Sequence, residues 1–347
     1  MVSSNSTKNI FWIDAIKAIC MIAVYFVHCQ IYYGLWIQEI NDLLHPIYVN
    51  GFFFVSGYLI MRKQLSKPVA DEGFGKYFCS GGRTFLQTIL FKLIIPTIVF
   101  SLIEYFPKKL LRGESITLSS FLFETIGGGT YWFTSALVVA EILILIVLLT
   151  RRKSIWFYLI VGFVMAFIGN LLNQMDFHLF GMNGNPWSYL NGLLAVAFLM
   201  AGGLYWKYEV FIESCLKWYL LIPLIGLYIY IFTAIPDKCT VLVSMMDVNI
   251  YGYLASLLGC VILVEVCKKM KQVSILSFIG KNSICFYFLS GALPMIVSKI
   301  AHTFLPDASF IILILIMAVC LCGAGIFTVC LNRYMPFMLD LRKLIKK

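Results

Sequence analysis

Three ionisable side chains lie within one apolar stretch near the start of the chain, at Asp14, Lys17 and His28. Residues 12–33 are apolar enough for a membrane helix, where a charged side chain costs roughly 2.5–3.5 kcal/mol at bilayer depth. On a helix, Asp14 and Lys17 are i and i+3 and can pair, and His28 lies roughly 16 Å beyond Lys17 on the same stripe. Such groups must face protein or water rather than lipid, so this stripe is the first candidate for a functional site.

The chemistry open to these residues is proton transfer or nucleophilic attack by imidazole, with an ammonium group nearby. Imidazole titrates near neutrality, which suits a general base, and it can also carry a covalently bound group. The structural alternative is that Asp14 and Lys17 neutralise each other and His28 only bonds a neighbouring helix. Because buried ionisable groups in membranes are functional by default, the functional interpretation is favoured.

The composition shows what kind of scaffold must position these side chains. Of the 347 residues, 61% are hydrophobic and only 13% are charged, whereas soluble domains carry about 25% charged residues. Segments of about twenty apolar residues are long enough to span a bilayer. Ten occur, near 10–33, 46–61, 85–105, 131–150, 154–172, 188–206, 211–235, 247–267, 275–298 and 308–331. The sequence therefore predicts an all-α polytopic membrane bundle of about ten transmembrane helices, forming a single domain over residues 1–347.

The net charge of +10 follows the pattern of a membrane protein rather than that of a nucleic-acid-binding protein. With the N-terminus inside, most of the Lys and Arg residues fall in inner segments, which is the positive-inside asymmetry. The predicted outer loops hold Lys108, Lys109, Arg112, Lys238 and Lys299. This predicts an N-in, C-in protein of the cell membrane, surrounded by lipid and without a nucleic-acid partner. The loop 106–130 is discordant, because it carries three basic residues where few are expected.

The cysteines and histidines indicate neither a disulfide framework nor a metal site. The 11 cysteines are odd in number, lack a C-x-x-C pair and lie mostly in apolar runs, where a free thiol packs as a small hydrophobic group. The four histidines lack zinc-site spacing. We therefore predict no metal and no bound cofactor.

The second apolar segment places Ser56 and Gly57 in the middle of a run of phenylalanines. Small residues mark close contacts between transmembrane helices, so packing is one explanation. The other explanation is that these two small residues, one of which bears a hydroxyl group, leave space on the helix surface for a ligand or the first helix to approach. The sequence leaves both explanations open.

An ordered set of motifs then resembles the membrane acyltransferase-3 family, in the branch that O-acetylates fucose and other sugars of surface polysaccharides. The likeness covers nearly the whole chain. The motifs are WIDAIKAICMIAVYFVHCQ at 12–30, FFFVSGYLI at 52–60, KLIIP at 92–96, YWFTSAL at 131–137, FLMAGGLYWK at 198–207 and LSFIGKNSICFYFL at 276–289.

The resemblance implies an acyl-CoA-dependent O-acyltransferase, with acetyl-CoA or another acyl-CoA as donor substrate and a glycan or lipid-linked sugar as acceptor. His28 matches the family's histidine, proposed as general base or acyl carrier, and Lys17 stands where an arginine is usual. Lys17 and Asp14 complete the predicted catalytic set. The predicted donor-binding residues are Ser56, Gly57, Arg62, Arg83 and Lys92.

Two further positions depart from the family pattern. The R-x-x-R pair before the third-span proline is reduced to Lys92, with Ile89 at the other place. Many members have a histidine in the ninth span where this chain has Ser290, so a mechanism that needs a second histidine does not apply here.

Three residues are predicted on the acceptor side, each with a structural alternative. Trp132 can stack on a sugar or anchor a helix at the membrane interface, and Asn282 and Ser283 can line a cavity or bond between helices. The alternative function is a transporter or flippase for a lipid-linked glycan, although the paired halves common in transporters are missing. The sequence leaves the acceptor sugar, the acyl group and the oligomeric state open.

Overall fold

The structure is a computed structural model that describes most of the chain. It covers residues 10–65, 78–150, 154–177, 184–234, 241–243, 247–305 and 309–345. Some basic residues behind the predicted orientation lie outside this range, at positions 8, 67, 76, 151–153, 238, 346 and 347. The N-in, C-in orientation therefore stays a prediction, and "inner" and "outer" below refer to it.

The described chain is a helical bundle, as the sequence predicts. Its helices are α1 (Phe11–Tyr33), α2 (Gln38–Leu65), α3 (Arg83–Arg112), α4 (Leu118–Thr125), α5 (Trp132–Leu149), α6 (Ile155–Gln174), α7 (Tyr189–Cys215), α8 (Trp218–Ala234), α9 (Ile250–Lys269), α10 (Ser274–Lys281), α11 (Ser283–Leu289), α12 (Ala292–Phe304), α13 (Phe310–Tyr334) and α14 (Arg342–Ile345). The strands among the described residues are one antiparallel pair, β1 (Val241–Leu242) and β2 (Asp247–Val248).

Eight of these helices are long and apolar enough to cross a membrane, namely α1, α2, α3, α5, α6, α7, α9 and α13. The other two predicted spans differ from simple helices. The segment 211–235 contains α8, which has only 17 residues. The segment 275–298 is broken: α11 and α12 together are apolar enough for one span, but they meet at an angle of 46°. This break lies next to His28 in the folded protein.

The helix ends follow local sequence signals. Gly34 and Gly113 end α1 and α3 with positive φ angles of 75° and 68°, a left-handed conformation that glycine adopts without steric cost. The Thr117 hydroxyl accepts from Ser120 N at the start of α4. The Asn249 side chain accepts from Gly252 N at 2.7 Å at the start of α9. These caps satisfy backbone groups that helix ends leave unpaired.

The bundle has a central set of helices and a peripheral set whose apolar faces are exposed, as expected for helices in contact with lipid. About two thirds or more of the apolar window is buried in α1, α5 and α7, whereas less than a third is buried in α3, α6 and α13. Helix α1 packs against α2, α9, α10, α12 and α13. The polar stripe of α1 is therefore surrounded by protein, which removes the cost of exposing it to lipid.

Gly57 lies where α2 crosses α7 with almost no space between the backbones. A Cβ atom at Gly57 would overlap the Leu199 carbonyl of α7, and one at Gly202 of α7 would overlap the Phe54 carbonyl of α2. Reciprocal glycines of this kind allow two membrane helices to approach closely. This geometry matches the packing explanation for Gly57, and its role in donor binding stays a prediction.

Candidate functional site

A cavity of about 230 Å³ lies at the outer end of α1. Four parts of the chain form its walls: the last turns of α1, the second half of α3, the start of α5 and the break between α11 and α12. His28 and Trp132 line it together. Two residues assigned to catalysis and to the acceptor side from the sequence are thus neighbours in the fold, although 104 positions separate them in the chain.

The His28 ring is held in one orientation by the backbone of the broken span. Its Nδ1 lies 2.7 Å from the Ser290 carbonyl oxygen. Because a carbonyl oxygen only accepts hydrogen bonds, Nδ1 must carry the proton, and in the neutral ring Nε2 is then the free base. Nε2 has no hydrogen-bond partner among the described residues. This tautomer is the one required for accepting a proton from a ligand in the cavity.

Pro294 explains why the Ser290 carbonyl is available to His28. In a continuous helix this carbonyl would accept from the backbone N–H four residues later, but residue 294 is a proline and has no N–H. Ser290 thus contributes to the site through its main chain rather than through its side chain. The Ser290 hydroxyl turns back and donates to the Tyr287 carbonyl at 2.8 Å.

Replacing Pro294 by alanine is expected to lower the turnover number about tenfold, with little change in substrate KM. The new N–H competes with His28 for the Ser290 carbonyl, so the imidazole loses the bond that sets its tautomer. Steady-state kinetics of acyl transfer check this, together with the pH profile. An unchanged turnover number and pH profile would show that Pro294 does not position His28. Leu293→Ala, one residue away, is the control for simple loss of packing.

One face of α3 brings charge into the cavity. Glu104, Lys108 and Arg112 are spaced i, i+4 and i+8 on this helix, so they lie on the same side, and all three line the cavity. Arg112 donates to the Tyr32 hydroxyl of α1 at 3.1 Å. Sequence reasoning missed this constellation, although its signal was present: Lys108 and Arg112 belong to the loop that carried too many positive charges.

Aromatic rings form the remaining wall of the cavity. The Tyr131 hydroxyl donates to the Phe288 carbonyl at 3.0 Å, and the Tyr287 hydroxyl accepts from Phe133 N at 3.2 Å, at the start of α5. Tyr131 and Tyr287 are therefore fixed by the backbones of each other's helices. Trp132, half-buried beside them, completes a rigid surface on which a sugar ring can stack.

Asp14 and Lys17 lie at the opposite end of α1, away from this cavity. They interact electrostatically but form no ion pair within 4.0 Å, so the pairing expected from their spacing is absent. A Cβ at Gly280 of α10 would overlap the Asp14 backbone, which shows how closely α10 packs there. Lys17 is half-buried and is close enough to Lys92 for their charges to interact.

Lys92 belongs to a positively charged region at this inner end. It lies in a π-helical turn of α3, Leu90–Ile94, a feature often found at functional sites. It is exposed and interacts electrostatically with Lys63, Arg342 and Lys343. Asp340 accepts two hydrogen bonds from Arg342 at 2.8 Å, which hold its pKa below the usual range. Sequence reasoning missed the C-terminal residues because they follow the last span.

The other residues assigned from the sequence do not line the outer cavity. Ser56 is half-buried within α2, Arg62 is exposed near Tyr58, and Arg83 is exposed at the start of α3. Asn282 and Ser283 lie at the start of α11, about 10 Å along that helix from Ser290. The Asn282 amide donates to Phe278 O at 2.8 Å and its carbonyl accepts from Asn332 at 2.9 Å, so it bonds between helices.

Comparison with known protein families identifies the class of reaction that this protein catalyses. The profile of a family described as an acyltransferase domain matches residues 10–330, from the start of α1 to within α13. The chain belongs to the acyltransferase-3 family. It is a multi-pass membrane acyltransferase, and the transporter alternative gains no support from this match. The chain has no significant match among curated proteins or solved structures. The family match ends before α14, so Arg342 and Lys343 lie outside the shared domain.

Proposed function

We propose that this acyltransferase moves an acetyl or other acyl group from cytoplasmic acyl-CoA to a hydroxyl of a surface or lipid-linked glycan in the cell membrane. The observation that carries the proposal is the His28 ring, held by the Ser290 carbonyl with Nε2 unbonded at the wall of a cavity. A base in that state suits removal of a proton from an alcohol.

In the general-base form of the mechanism, His28 accepts the proton of the acceptor hydroxyl at Nε2 while the oxygen attacks the thioester carbonyl. The C–O bond forms, the C–S bond breaks, and the CoA thiolate leaves. The imidazolium then returns its proton to the thiolate. Nδ1 stays bonded to the Ser290 carbonyl throughout, so the ring does not reorient between the two proton transfers.

The separation of the two polar regions of α1 supports a second form, in which His28 carries the acyl group. Lys17 lies about 16 Å from His28 along α1, and its charge interacts with that of Lys92 on α3. An acyl-imidazole at Nε2 would link a donor bound near Lys17 to an acceptor bound near Trp132. In this form Nε2 attacks the thioester carbonyl, the C–S bond breaks and CoA leaves as the thiolate. The sugar oxygen then attacks the acyl carbon, the C–N bond breaks, and the proton released from the hydroxyl balances the charge of the thiolate.

Transfer of labelled acetyl from acetyl-CoA to glycan tests the proposed function directly. Membranes containing the protein are incubated with labelled acetyl-CoA, and the label in the glycan is compared with that from membranes lacking the protein. Label that appears only with the protein supports the proposal. Equal label in both preparations would overturn it.

On the donor side, Lys92→Gln is expected to raise the KM for acetyl-CoA about tenfold and to leave the turnover number near its original value. The reason is that a charge-assisted hydrogen bond from the ammonium to a CoA phosphate is lost, while the reacting atoms are untouched. The measurement compares acetyl-CoA with S-acetyl-pantetheine, which lacks those phosphates. The KM for the shorter donor should not change.

The matched control for Lys92 is Lys271→Gln, because Lys271 is an exposed lysine on the same predicted inner side, between α9 and α10. It should leave both KM values unchanged. If Lys92→Gln raised both KM values equally, the lysine would act on the fold of α3 rather than on the donor phosphates.

A further inference from the structure

The cavity beside His28 holds positive charge that the described protein does not fully neutralise. Lys108 lines the cavity half-buried, and it has no hydrogen bond or ion pair among the described residues. Arg112, one turn later, bonds the Tyr32 hydroxyl and lies 3.6 Å from Glu114. Since guanidinium has five N–H donors, most of them are still available.

The neighbouring Lys109 shows how this stretch neutralises a lysine that has no binding role. It does not line the cavity, and it contacts Glu114 at 2.7 Å and Glu124 at 2.6 Å. The hydrogen bond from Lys109 lowers the pKa of Glu114, so that this carboxylate stays ionised and is held by Lys109. Both carboxylates thus pair with Lys109, and Glu114 also pairs with Arg112. They interact with Lys108 electrostatically, but neither forms an ion pair with it.

Glu104 is the carboxylate on the described cavity wall, and it lies deeper than the two cations. It precedes Lys108 by one helical turn, about 6 Å, and lies beside the Tyr131 hydroxyl. Lys108, in contrast, is close enough to His28 to interact with it electrostatically. Two of the charged residues that line the cavity are cations and one is a carboxylate. Glu114, which does not line it, forms an ion pair with Arg112, so Lys108 is the lining cation without an ion pair among the described residues.

We propose that Lys108 and Arg112 bind an anionic group of the acceptor glycan, either a sugar carboxylate or a phosphate, while a hydroxyl of the same sugar unit meets Nε2 of His28. This inference rests on the proposed function, because it assigns the class of the acceptor. An unpaired cation in a partly desolvated cavity is costly unless a ligand neutralises it. An arginine fork and a lysine point charge are the usual partners of carboxylate and phosphate.

The size and lining of the cavity agree with a single charged sugar unit. Its volume of about 230 Å³ is below the range of roughly 300–1,000 Å³ typical of drug-sized ligands. Trp132 and Tyr287 offer aromatic faces to a ring, and Glu104 offers acceptors to its hydroxyls. The cations hold the anionic group of the unit, and a hydroxyl of the same unit faces the base.

Fractionation of the natural glycans tests the proposal even when the acceptor has not been identified. Glycans from cells with the wild-type protein or with H28Q are separated by anion exchange, and O-acetyl is measured in the retained and unretained fractions. We expect O-acetyl that depends on His28 only in the retained fraction. Removal of phosphate by mild acid and phosphatase, or reduction of carboxyl groups, then shows which treatment abolishes retention and identifies the anion.

Kinetics with the retained glycan and labelled acetyl-CoA test the two residues. Lys108→Gln should raise the acceptor KM about tenfold and leave the turnover number unchanged, because a charge-assisted contact outside the reacting atoms is lost. Lys108→Arg should restore the KM. Lys271→Gln, which removes an exposed lysine that does not line the cavity, should leave the KM unchanged.

The outcomes separate this inference from the proposed function. O-acetyl that depends on His28 in the neutral fraction would overturn the anionic acceptor and leave the acyltransferase function intact. So would an unchanged acceptor KM in Lys108→Gln. Absence of His28-dependent O-acetyl from every fraction would overturn the proposed function, and the assignment of the acceptor with it.

Discussion

Replacing His28 by glutamine is expected to reduce acyl transfer to the glycan by at least about 100-fold. Glutamine keeps a polar side chain of similar reach that can still donate to the Ser290 carbonyl, so the packing around α1 changes little. It has no group that accepts and returns a proton near neutral pH. The measurement is the initial rate of label transfer from acetyl-CoA with purified protein, and the folded fraction is checked by size-exclusion chromatography.

His302→Ala is the matched control, because His302 belongs to α12 but does not line the cavity. Its ring stacks on Tyr33 with centroids 4.8 Å apart, and its loss should leave the transfer rate near that of the wild type. A transfer rate in H28Q within a few-fold of the wild type would exclude His28 as base and as acyl carrier.

The same preparation distinguishes the two forms of the mechanism. Wild-type protein incubated with labelled acetyl-CoA and no acceptor should become labelled if His28 carries the acyl group, and the label should be released by hydroxylamine. Without an acyl-enzyme, the protein stays unlabelled while transfer in the presence of acceptor still depends on His28.

Gly57→Ala is expected to destabilise the folded protein by about 3 kcal/mol or more. The added methyl group would overlap the Leu199 carbonyl of α7, and a backbone atom cannot move aside by changing rotamer. The α2 and α7 helices would have to separate along a contact that also includes Gly202 and Phe54. Thermal unfolding in detergent measures the loss, together with the yield of monodisperse protein.

Gly226→Ala is the control for the general effect of adding a methyl group to a membrane helix. Gly226 lies in α8, and a Cβ there meets no atom within 4 Å. Alanine should be neutral or slightly stabilising at that position, since it is the better helix former. Equal thermal unfolding midpoints for G57A and the wild type would mean that the contact between α2 and α7 is looser than it is in the structure.

The break in the ninth span is a feature that the sequence did not predict. The apolar run 275–298 predicts one helix, because hydropathy averages over the whole segment. The chain instead forms three helices there, and α11 and α12 meet at 46°. Pro294 is visible in the sequence, yet a proline in a membrane helix is often tolerated without a break. Because this span packs against α1, the Ser290 carbonyl accepts a hydrogen bond from His28 rather than from a backbone N–H of its own helix.

The outer cavity shows the same limit for the site. His28 and Trp132 were selected individually from the sequence, by buried polarity and by motif. In the fold these two residues line one cavity. Whether Glu104, Lys108 and Arg112 join them there depends on how α3 is rotated against α1. The helical spacing of the α3 residues puts them on one face, but no pattern within α3 specifies which neighbour that face meets.

The amino-acid sequence by itself determined that this is a polytopic α-helical membrane protein of the acyltransferase-3 family. That conclusion follows from composition and local order: runs of apolar residues, polar groups that lipid excludes, and motifs in a fixed succession. Only the tertiary structure decided which residues share the cavity, which tautomer His28 adopts, and that Gly57 serves a helix crossing. These properties arise between segments far apart in the chain, through packing and hydrogen bonds that no local pattern encodes.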